Sequence, residues 1–260
     1  MRLLKEETMQ DALVLGASQG IGFGFVQYLL NQDTVNQVYA TYRSIESAAP
    51  LLALAQKSGD RLTCILLEIT DEDQIIQCLQ QVVAGLKESD RQLGWVINCI
   101  GMLHQGDLQP EKSLRQINTE QLLTYFQVNS IGSILLAKHL APLIKNTDRV
   151  IFATLSAKVG SITDNQLGGW YGYRASKAAL NMFMRSIAIE YRRTCKGAIV
   201  VVLHPGTTET GLSEPFRRGV APEKLFSIDR SVSQLMQVMN ALTPENSGEF
   251  FSWDGTPLPW

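Results

Sequence analysis

The chain has 260 residues, of which 45% are hydrophobic and 18% charged, and its formal net charge is -2 at pH 7. This is the balance of a globular chain large enough to bury a core without disulfides or metal ions. The sequence has no basic stripe, no acidic tail and no apolar run of ~18 residues, which argues against nucleic-acid binding, membrane-surface binding and a membrane span.

Cysteine usage and the N-terminal residues indicate an intracellular protein. The cysteines form neither a C-x-x-C pair nor a zinc motif with histidine, which predicts buried free thiols and no metal site. They are Cys64, Cys78, Cys99 and Cys195. The first ten residues are charged and lack the apolar core of a secretory signal. We therefore expect a cytoplasmic location.

Apolar, β-prone runs alternate with stretches of helical spacing along the chain. The predicted strands cover residues 12–15, 37–41, 62–67, 95–99, 150–154 and 198–203. The predicted helices cover residues 21–30, 47–57, 70–86 with Thr70 as N-cap, 120–144 with a bend at Pro142, and 173–193. A long polar loop is predicted over residues 102–118.

This alternation predicts an α/β fold, a single doubly wound Rossmann-type domain over residues 1–260. We expect a mostly parallel sheet of about seven strands with helices on both faces. The strand at 198–203 is apolar throughout, as expected of a strand buried on both faces. Phe250 and Phe251, with Trp253 and Trp260, predict either a seventh strand at the sheet edge or a subunit contact.

A glycine-rich turn, Gly16-Ala-Ser-Gln-Gly20-Ile-Gly22, joins the first strand to the first helix. Glycine permits tight turns and close approach of a ligand to the backbone. Free N–H groups at the start of the helix attract phosphate. The alternative is a sharp strand-to-helix turn without a ligand, but the position at the first βα turn favours dinucleotide binding.

Tyr173 and Lys177 lie four residues apart in a predicted helix and so share one face. A phenol near pKa ~10 exchanges protons poorly at neutral pH, and a neighbouring lysine cation lowers that pKa toward a useful range. The alternative is an ordinary surface pair. Tyr171 has Ala175 four residues later and therefore lacks the cation.

In this order the motifs resemble those of the short-chain dehydrogenase/reductase family, and the resemblance covers the whole chain. Its further motifs are Asn98-Cys-Ile-Gly101 after the fourth strand, Asn129 in the long helix, Ser156 after the fifth strand, and Pro205-Gly206 with Thr210 after the sixth. The segments 110–114, 159–162, 168–174 and 255–260 look like the C-factor branch, which is similar to the sniffer-type carbonyl reductases.

The resemblance implies a role for each of four catalytic residues. Tyr173 gives a proton to a carbonyl oxygen that Ser156 also binds, while Lys177 holds the nicotinamide ribose and lowers the pKa of Tyr173. Asn129 supports a water that links Lys177 to solvent. A loop cap is the alternative for Ser156, with Ser161 as the competing serine, and a helix-interior amide is the alternative for Asn129.

The resemblance also implies a set of cofactor contacts, which includes Tyr173 and Lys177. The other members are Gly16, Ser18, Gln19, Gly20, Ile21, Gly22, Arg43, Glu68, Ile69, Asn98, Gly101, Pro205, Gly206, Thr208 and Thr210. Four positions depart from the family pattern: Leu15 stands in place of threonine, Glu68 in place of aspartate, and Cys99 and Ile100 in place of Asn-Ala. These departures are expected to alter the adenine end of the pocket and to leave the catalytic positions intact.

The end of the second strand predicts the choice of cofactor. An acidic side chain there favours NAD because it binds the ribose hydroxyls and repels a 2′-phosphate. The chain instead has Arg43 and Ser44, with no carboxylate before Glu46. Arg43 is suited to pair with a phosphate, although a solvated surface arginine is the alternative, so we expect NADP(H).

Two function classes follow from these motifs. The first is an NADP(H)-dependent oxidoreductase that interconverts a small-molecule carbonyl and an alcohol; the second is a nucleotide-binding signalling protein of the C-factor type with incidental turnover. His104 is a candidate for the substrate pocket, with a solvated loop histidine as the alternative, and His204 is interpreted as structural. The resemblance implies a homodimer or homotetramer, and residues 207–225 are expected to form a mobile lid.

Overall fold

A computed structural model describes residues 9–260. Helices and strands alternate through most of this range, because apolar strand segments are followed by amphipathic helical segments. The strands are β1 Gln10–Leu15, β2 Val35–Tyr42, β3 Leu62–Leu66, β4 Leu93–Asn98, β5 Val150–Leu155, β6 Ala198–His204, β7 Thr207–Thr208, β8 Leu225–Phe226 and β9 Glu249–Ser252. The helices are α1 Gly20–Leu30, α2 Ala49–Ser58, α3 Glu72–Ser89, α4 Thr119–Phe126, α5 Gly132–Ile144, α6 Tyr171–Thr194 and α7 Ile228–Ala241.

Seven of these strands form one sheet in the order β3-β2-β1-β4-β5-β6-β9, and every neighbouring pair is parallel. This confirms the predicted doubly wound fold. The strand order reverses between β1 and β4, where Leu15 pairs with Asn98. In such sheets ligands bind outside the carboxyl ends of the strands at this switch point.

The core lies in two layers, one on each face of the sheet. Alternate residues of β1 show the division, since Leu13 and Leu15 pack into one layer and Ala12 and Val14 into the other. Side chains of α3, α5 and α6 cover the first face, and those of α1, α2 and α7 cover the second. The sheet is therefore buried on both faces, as expected of a parallel sheet.

The prediction for the start of α3 was wrong by one residue. The N-cap is Asp71, whose carboxylate accepts a hydrogen bond from the backbone N–H of Gln74 at 3.2 Å. Thr70 does not cap the helix because its hydroxyl donates to Glu68 Oε1 at 3.0 Å. Either residue type suits an N-cap, so the local sequence did not decide between them.

The segment predicted as a helix over residues 120–144 is helical throughout, but it is not a regular α-helix. A wider π-helical stretch, Gln127–Ile131, separates α4 from α5. A π-helical interruption is rare and recurs at functional sites, and this one carries Asn129. Pro142 lies inside α5.

Two further expectations concern the sheet edge and the cysteines. Phe250 and Phe251 lie in β9, the edge strand beside β6, which confirms the seventh-strand alternative. The four cysteines are free thiols; Cys78 and Cys195 are buried, and the other two are half-buried. No helix within residues 9–260 combines the length and apolarity needed to cross a membrane.

Candidate active site

The glycine-rich turn lies at the switch point and needs its glycines. Gly16 and Gly20 have φ values of 71° and 58°, in the left-handed region that favours glycine. A Cβ on Gly22 would lie on the main-chain oxygen of Gly16. The turn is fastened to the end of β2, since Gly16 N donates to Thr41 Oγ1 at 3.0 Å and Ala17 N donates to the Thr41 carbonyl at 2.8 Å.

The start of α1 is free to receive an anion. Its N-cap Gln19 makes no side-chain capping bond, and the first turn has no acidic residue. The N–H groups of Ile21 and Gly22 therefore point from a helix N-terminus, where negative charge is favoured. Ser18 and Gln19 are accessible beside them, and Thr210 packs against Gly20 from the opposite side.

Tyr173 and Lys177 lie on one buried face of α6, as predicted. Tyr173 is 5% exposed, and the rings of Tyr125 and Trp170 each approach it edge-on with centroids 6.2 Å away. Lys177 is 3% exposed, and its Nζ lies 5.9 Å from the centroid of the Tyr173 ring. The same Nζ donates to the Leu155 carbonyl at 3.1 Å, which places the cation at the end of β5.

Burial changes the proton affinities of both groups. It lowers the pKa of Lys177 from 10.5 to about 8 because the cation is desolvated. It raises the pKa of Tyr173 above its ordinary value because the phenolate would be desolvated. The sequence predicted that Lys177 lowers the pKa of Tyr173, but in the protein itself desolvation of the phenol is the larger effect.

Ser156 presents a free hydroxyl next to this pair. It is 4% exposed and follows Leu155, the residue whose carbonyl binds Lys177. Its Oγ has no hydrogen-bond partner within residues 9–260. The competing Ser161 uses its own Oγ to accept from the backbone of Asp164 at 3.1 Å. An unpaired buried hydroxyl is unfavourable, and of the two serines it is Ser156 whose Oγ has no partner among the described residues.

The side chain of Asn129 is committed to protein groups. Its Oδ1 accepts from Met102 N at 2.7 Å, and its Nδ2 donates to the Met102 carbonyl at 2.9 Å and to Ser176 Oγ at 3.0 Å. These bonds join the loop after β4 to α6. Both side-chain N–H donors of Asn129 are therefore used within the protein, and the residue fixes the loop after β4 against α6.

The motif after β4 shapes the same region. Asn98 is buried, donates to Ser133 Oγ at 2.9 Å and accepts from Ile100 N at 3.0 Å, so it holds the loop. A Cβ on Gly101 would lie 3.1 Å from Lys177 Nζ. Glycine at this position therefore allows the loop backbone to approach the lysine closely.

Three predicted cofactor contacts lie at the carboxyl ends of β2 and β3. Arg43 is exposed and directly follows β2, and its Nη1 lies 3.5 Å from Gln105 Oε1, which is a weak contact. Glu68 is half-buried and uses Oε1 to accept from Thr70. Ile69 is buried against Gly132.

The segment after β6 carries the remaining predicted contacts, Pro205, Gly206 and Thr208. Gly206 has φ 74°, and a Cβ there would lie 2.7 Å from the ring of Phe226. Thr208 is buried and shares a hydrogen bond with Ser231 Oγ at 2.8 Å. The short parallel pair of β7 and β8 closes the base of the segment 207–225, which we call the lid.

The aromatic wall beside Tyr173 was missed by sequence reasoning. Phe216 of the lid packs against Trp170 with centroids 4.8 Å apart, and His104 packs against Phe216 at 5.9 Å. His104 Nε2 also lies 3.2 Å from the Gly211 carbonyl, so His104 joins the loop after β4 to the lid. His204 is separate from this wall, and burial lowers its pKa to about 4, which agrees with a structural role.

These residues fit a dinucleotide cofactor. The glycine turn and the free start of α1 offer a phosphate cradle, and Lys177 and Ser156 offer a donor and an unpaired hydroxyl further along the same edge. Within residues 9–260, no ion pair includes Lys177. Its ammonium therefore has donors to spare for a ribose.

Comparison with known proteins agrees with this arrangement. A model of the short chain dehydrogenase family matches residues 10–221. C-signal of Myxococcus xanthus is 32% identical over 148 residues, which cover 57% of this chain and 84% of that protein.

Two solved structures are similar over nearly the full length. The NADPH-bound carbonyl reductase from chicken fatty liver has a TM-score of 0.86 at 29% identity, covering 98% of this chain and 96% of its own. The carbonyl reductase Sniffer of Drosophila melanogaster has a TM-score of 0.83 at 26% identity, covering 97% of this chain and all of its own. The match to the family model over most of the chain, together with this geometry, places the protein in the short-chain dehydrogenase/reductase family.

Proposed function

We propose that this oxidoreductase interconverts a small-molecule carbonyl and its alcohol with NADP(H). The observation that carries the proposal is the grouping of Tyr173, Lys177 and the unpaired hydroxyl of Ser156 at the ends of β5 and the start of α6. When bound, NADPH would supply the hydride that is added to the carbonyl carbon. The carbonyl oxygen then needs one proton and a donor that stabilises its developing charge.

Each of the three residues contributes one part of that chemistry. Tyr173 donates its phenolic proton to the oxygen. Ser156 donates a hydrogen bond to the same oxygen. Lys177 lies close enough to stabilise the phenolate that remains after the proton is transferred.

NADP(H) is the proposed cofactor because Arg43, rather than an acid, follows β2. The chicken and Pseudomonas aeruginosa carbonyl reductases, whose structures hold NADPH and NADP, resemble this chain over nearly its full length. The lid and the aromatic wall bound the space beside Tyr173 in which the substrate would lie.

The first experiment removes only the proposed acid. Tyr173→Phe should lose at least about a hundredfold in kcat for carbonyl reduction, because general acid catalysis contributes about 10²–10⁴. NADPH affinity should stay within about twofold, since only a hydroxyl is lost. The measurement is NADPH oxidation with a panel of aldehydes, ketones and quinones, beside a cofactor titration. Tyr171→Phe, two residues earlier on α6, is the matched control.

A second candidate is a nucleotide-binding regulatory protein, favoured by the similarity to C-signal. The wild type and the Tyr173→Phe variant together separate the two. A reductase turns over at least one compound of the panel rapidly and loses that turnover in the variant. A regulatory protein with incidental turnover reduces every compound only slowly in the wild type, although it still binds NADPH.

We also propose a homodimer or homotetramer in the cytoplasm. Apolar side chains on the outer faces of α4, the π-helical stretch and α6 are exposed in one copy of the chain. They are Leu123, Ile131, Met182 and Ile189. A second copy would remove this apolar surface from water. The four free thiols are consistent with a reducing compartment.

A further inference from the structure

A buried carboxylate lies at the start of α6. Glu111, in the segment between β4 and α4, is 1% exposed. None of the ion pairs within residues 9–260 includes it. A carboxylate removed from water is unfavourable unless donors or positive charge compensate for the lost hydration. Here the compensation comes from the N-terminal end of α6, which carries partial positive charge.

Glu111 binds two backbone N–H groups at this helix end. Its Oε2 accepts from Gly172 N at 3.1 Å, and its main-chain oxygen accepts from Trp170 N. Trp170, at the N-cap position, makes no side-chain capping bond. A residue 61 positions earlier in the chain therefore caps the helix that carries Tyr173.

The packing around the carboxylate is tight. A Cβ on Gly172 would lie 2.9 Å from Glu111 Oε1 and 2.5 Å from the ring of Tyr125. Oε1 has no hydrogen-bond partner within the described residues. A buried charged oxygen without a donor lowers stability, so stability alone does not account for a glutamate at this position.

The segment that Glu111 holds also sets the wall of the site. Trp170 has φ 52° and ψ 43°, a left-handed conformation that is uncommon for a residue with a Cβ. Gly168 and Gly169 precede it with φ 65° and 64°. This turn places the indole of Trp170 between the Tyr173 ring and Phe216 of the lid.

We propose that Glu111 is a positioning residue for the reaction of Tyr173. Through the N–H groups of Trp170 and Gly172 it fixes the first turn of α6, and thereby the phenol and the indole beside it. The proposal rests on the proposed function of Tyr173. Because displacement of a reacting group by about 1 Å can lower turnover about a hundredfold, loss of this cap should reduce kcat and leave cofactor binding intact.

The experiment compares Glu111→Ala, which removes the side-chain acceptor of Gly172 N but keeps the main-chain bond to Trp170 N, with Glu111→Gln, which keeps one side-chain oxygen. Glu120→Gln is the control, because Glu120 is an exposed acid in the first turn of α4. For each protein we would measure kcat and KM with the carbonyl compound that the wild type reduces fastest, the Kd for NADPH, and deuterium uptake over residues 168–176.

The expected result is a selective loss. Glu111→Ala should lower kcat by about ten- to a hundredfold, with KM changed less than about threefold and Kd less than about twofold, and residues 168–176 should exchange faster. Glu111→Gln should recover kcat to within about threefold of wild type, and Glu120→Gln should match wild type.

Several results would overturn the proposal. A kcat for Glu111→Ala within about twofold of wild type would do so, and so would equal losses in the alanine and glutamine variants. If Glu111→Ala does not fold, Glu111→Asp takes its place, because its shorter side chain withdraws the acceptor by one methylene. A kcat of Glu111→Asp equal to that of Glu111→Gln contradicts the proposal. Tyr173→Phe is assayed in parallel. Full activity there refutes the proposed function, whereas an inactive Tyr173→Phe beside a fully active Glu111→Ala refutes only the role of Glu111.

Discussion

Lys177 is a buried ammonium whose partner in the protein is a carbonyl, and its environment sets the chemistry of the site. Its pKa of about 8 means that the native protein holds this charge at neutral pH against a desolvation cost on the order of 3 kcal/mol. Between pH 8 and 10.5 the native lysine loses its proton while the unfolded chain keeps it. The contribution of Lys177 to the free energy of unfolding therefore rises with pH across that window.

Replacing this lysine should separate stability from activity. Lys177→Met removes the buried charge and the hydrogen bond to Leu155, so we expect it to be more stable by about 1–3 kcal/mol at pH 7, yet inactive. The difference should shrink toward pH 10, where the wild-type lysine is neutral. Urea unfolding at both pH values measures it, with the exposed Lys57→Met as control. A wild type at least as stable as Lys177→Met at pH 7 would contradict the prediction.

Arg43 should determine the cofactor preference. A charge-assisted contact to the 2′-phosphate contributes about 1.5–3 kcal/mol, which corresponds to about ten- to a hundredfold in affinity. Arg43→Ala should therefore weaken NADPH binding by that factor and change NADH binding by less than about twofold. Paired titrations with both cofactors test this, with the exposed Arg115→Ala as control. If the wild type prefers NADH, or if Arg43→Ala weakens both cofactors equally, another residue selects the cofactor.

Sequence analysis identified the site residues that belong to motifs with a fixed spacing along the chain. The glycine turn and the Tyr173–Lys177 pair are local patterns, and both were found before the structure. Glu111 lies in a polar stretch that reads as solvated, and its burial depends on the distant start of α6. Trp170 and Phe216 meet only after folding, because one precedes α6 and the other belongs to the lid.

At the scale of elements, strand positions were predicted well and helix boundaries less well. A buried strand is recognised from a run of apolar residues, and such a run can be found from the local sequence alone. The interruption at Gln127–Ile131 depends on tertiary contacts, since Asn129 bonds to Met102 and to Ser176 of α6. Helical periodicity over the same residues gives no sign of it.

The lid is braced by hydrogen bonds of its own and touches the rest of the chain around the site. Arg217 donates to the Thr210 carbonyl and to Ser213 Oγ, so the guanidinium braces the lid internally. Phe216 connects it to Trp170 across the site. A surface loop whose outside contacts lie around a binding site is a segment that a ligand can order further.

We expect NADPH to slow deuterium exchange over residues 209–224. The exchange of β5, which is buried in the centre of the sheet, should not change, and it serves as the internal control. Mass spectrometry of the protein with and without saturating NADPH provides the measurement. Equal protection of the lid in the two samples would show that the lid is already ordered in the free protein.

At the scale of the whole molecule, the exposed apolar residues of α4 and α6 predict how copies associate. Met182→Lys combined with Ile189→Asp should shift a dimer or tetramer toward smaller species, because buried charges lacking partners are unfavourable in an interface. Leu66→Lys, at the exposed edge strand β3, is the control. Sedimentation at micromolar concentration tests this. A monomeric wild type would refute the assembly, and an unchanged mass in the double variant would place the interface elsewhere.

The strand order also has a consequence for how the chain folds. Val14 of β1 pairs with Ala40 nearby in sequence, whereas its neighbour Leu15 pairs with Asn98 much further along. Closing the longer of these loops has the larger entropic cost, and non-local pairing slows folding. The pairing of β1 with β4, which carries this larger cost, forms the switch point at which the glycine turn lies. A cofactor that recognises the paired β1 and β4 binds only after this slow step. It should therefore stabilise the protein chiefly by slowing its unfolding. The lifetime of the native state would then depend on the supply of cofactor.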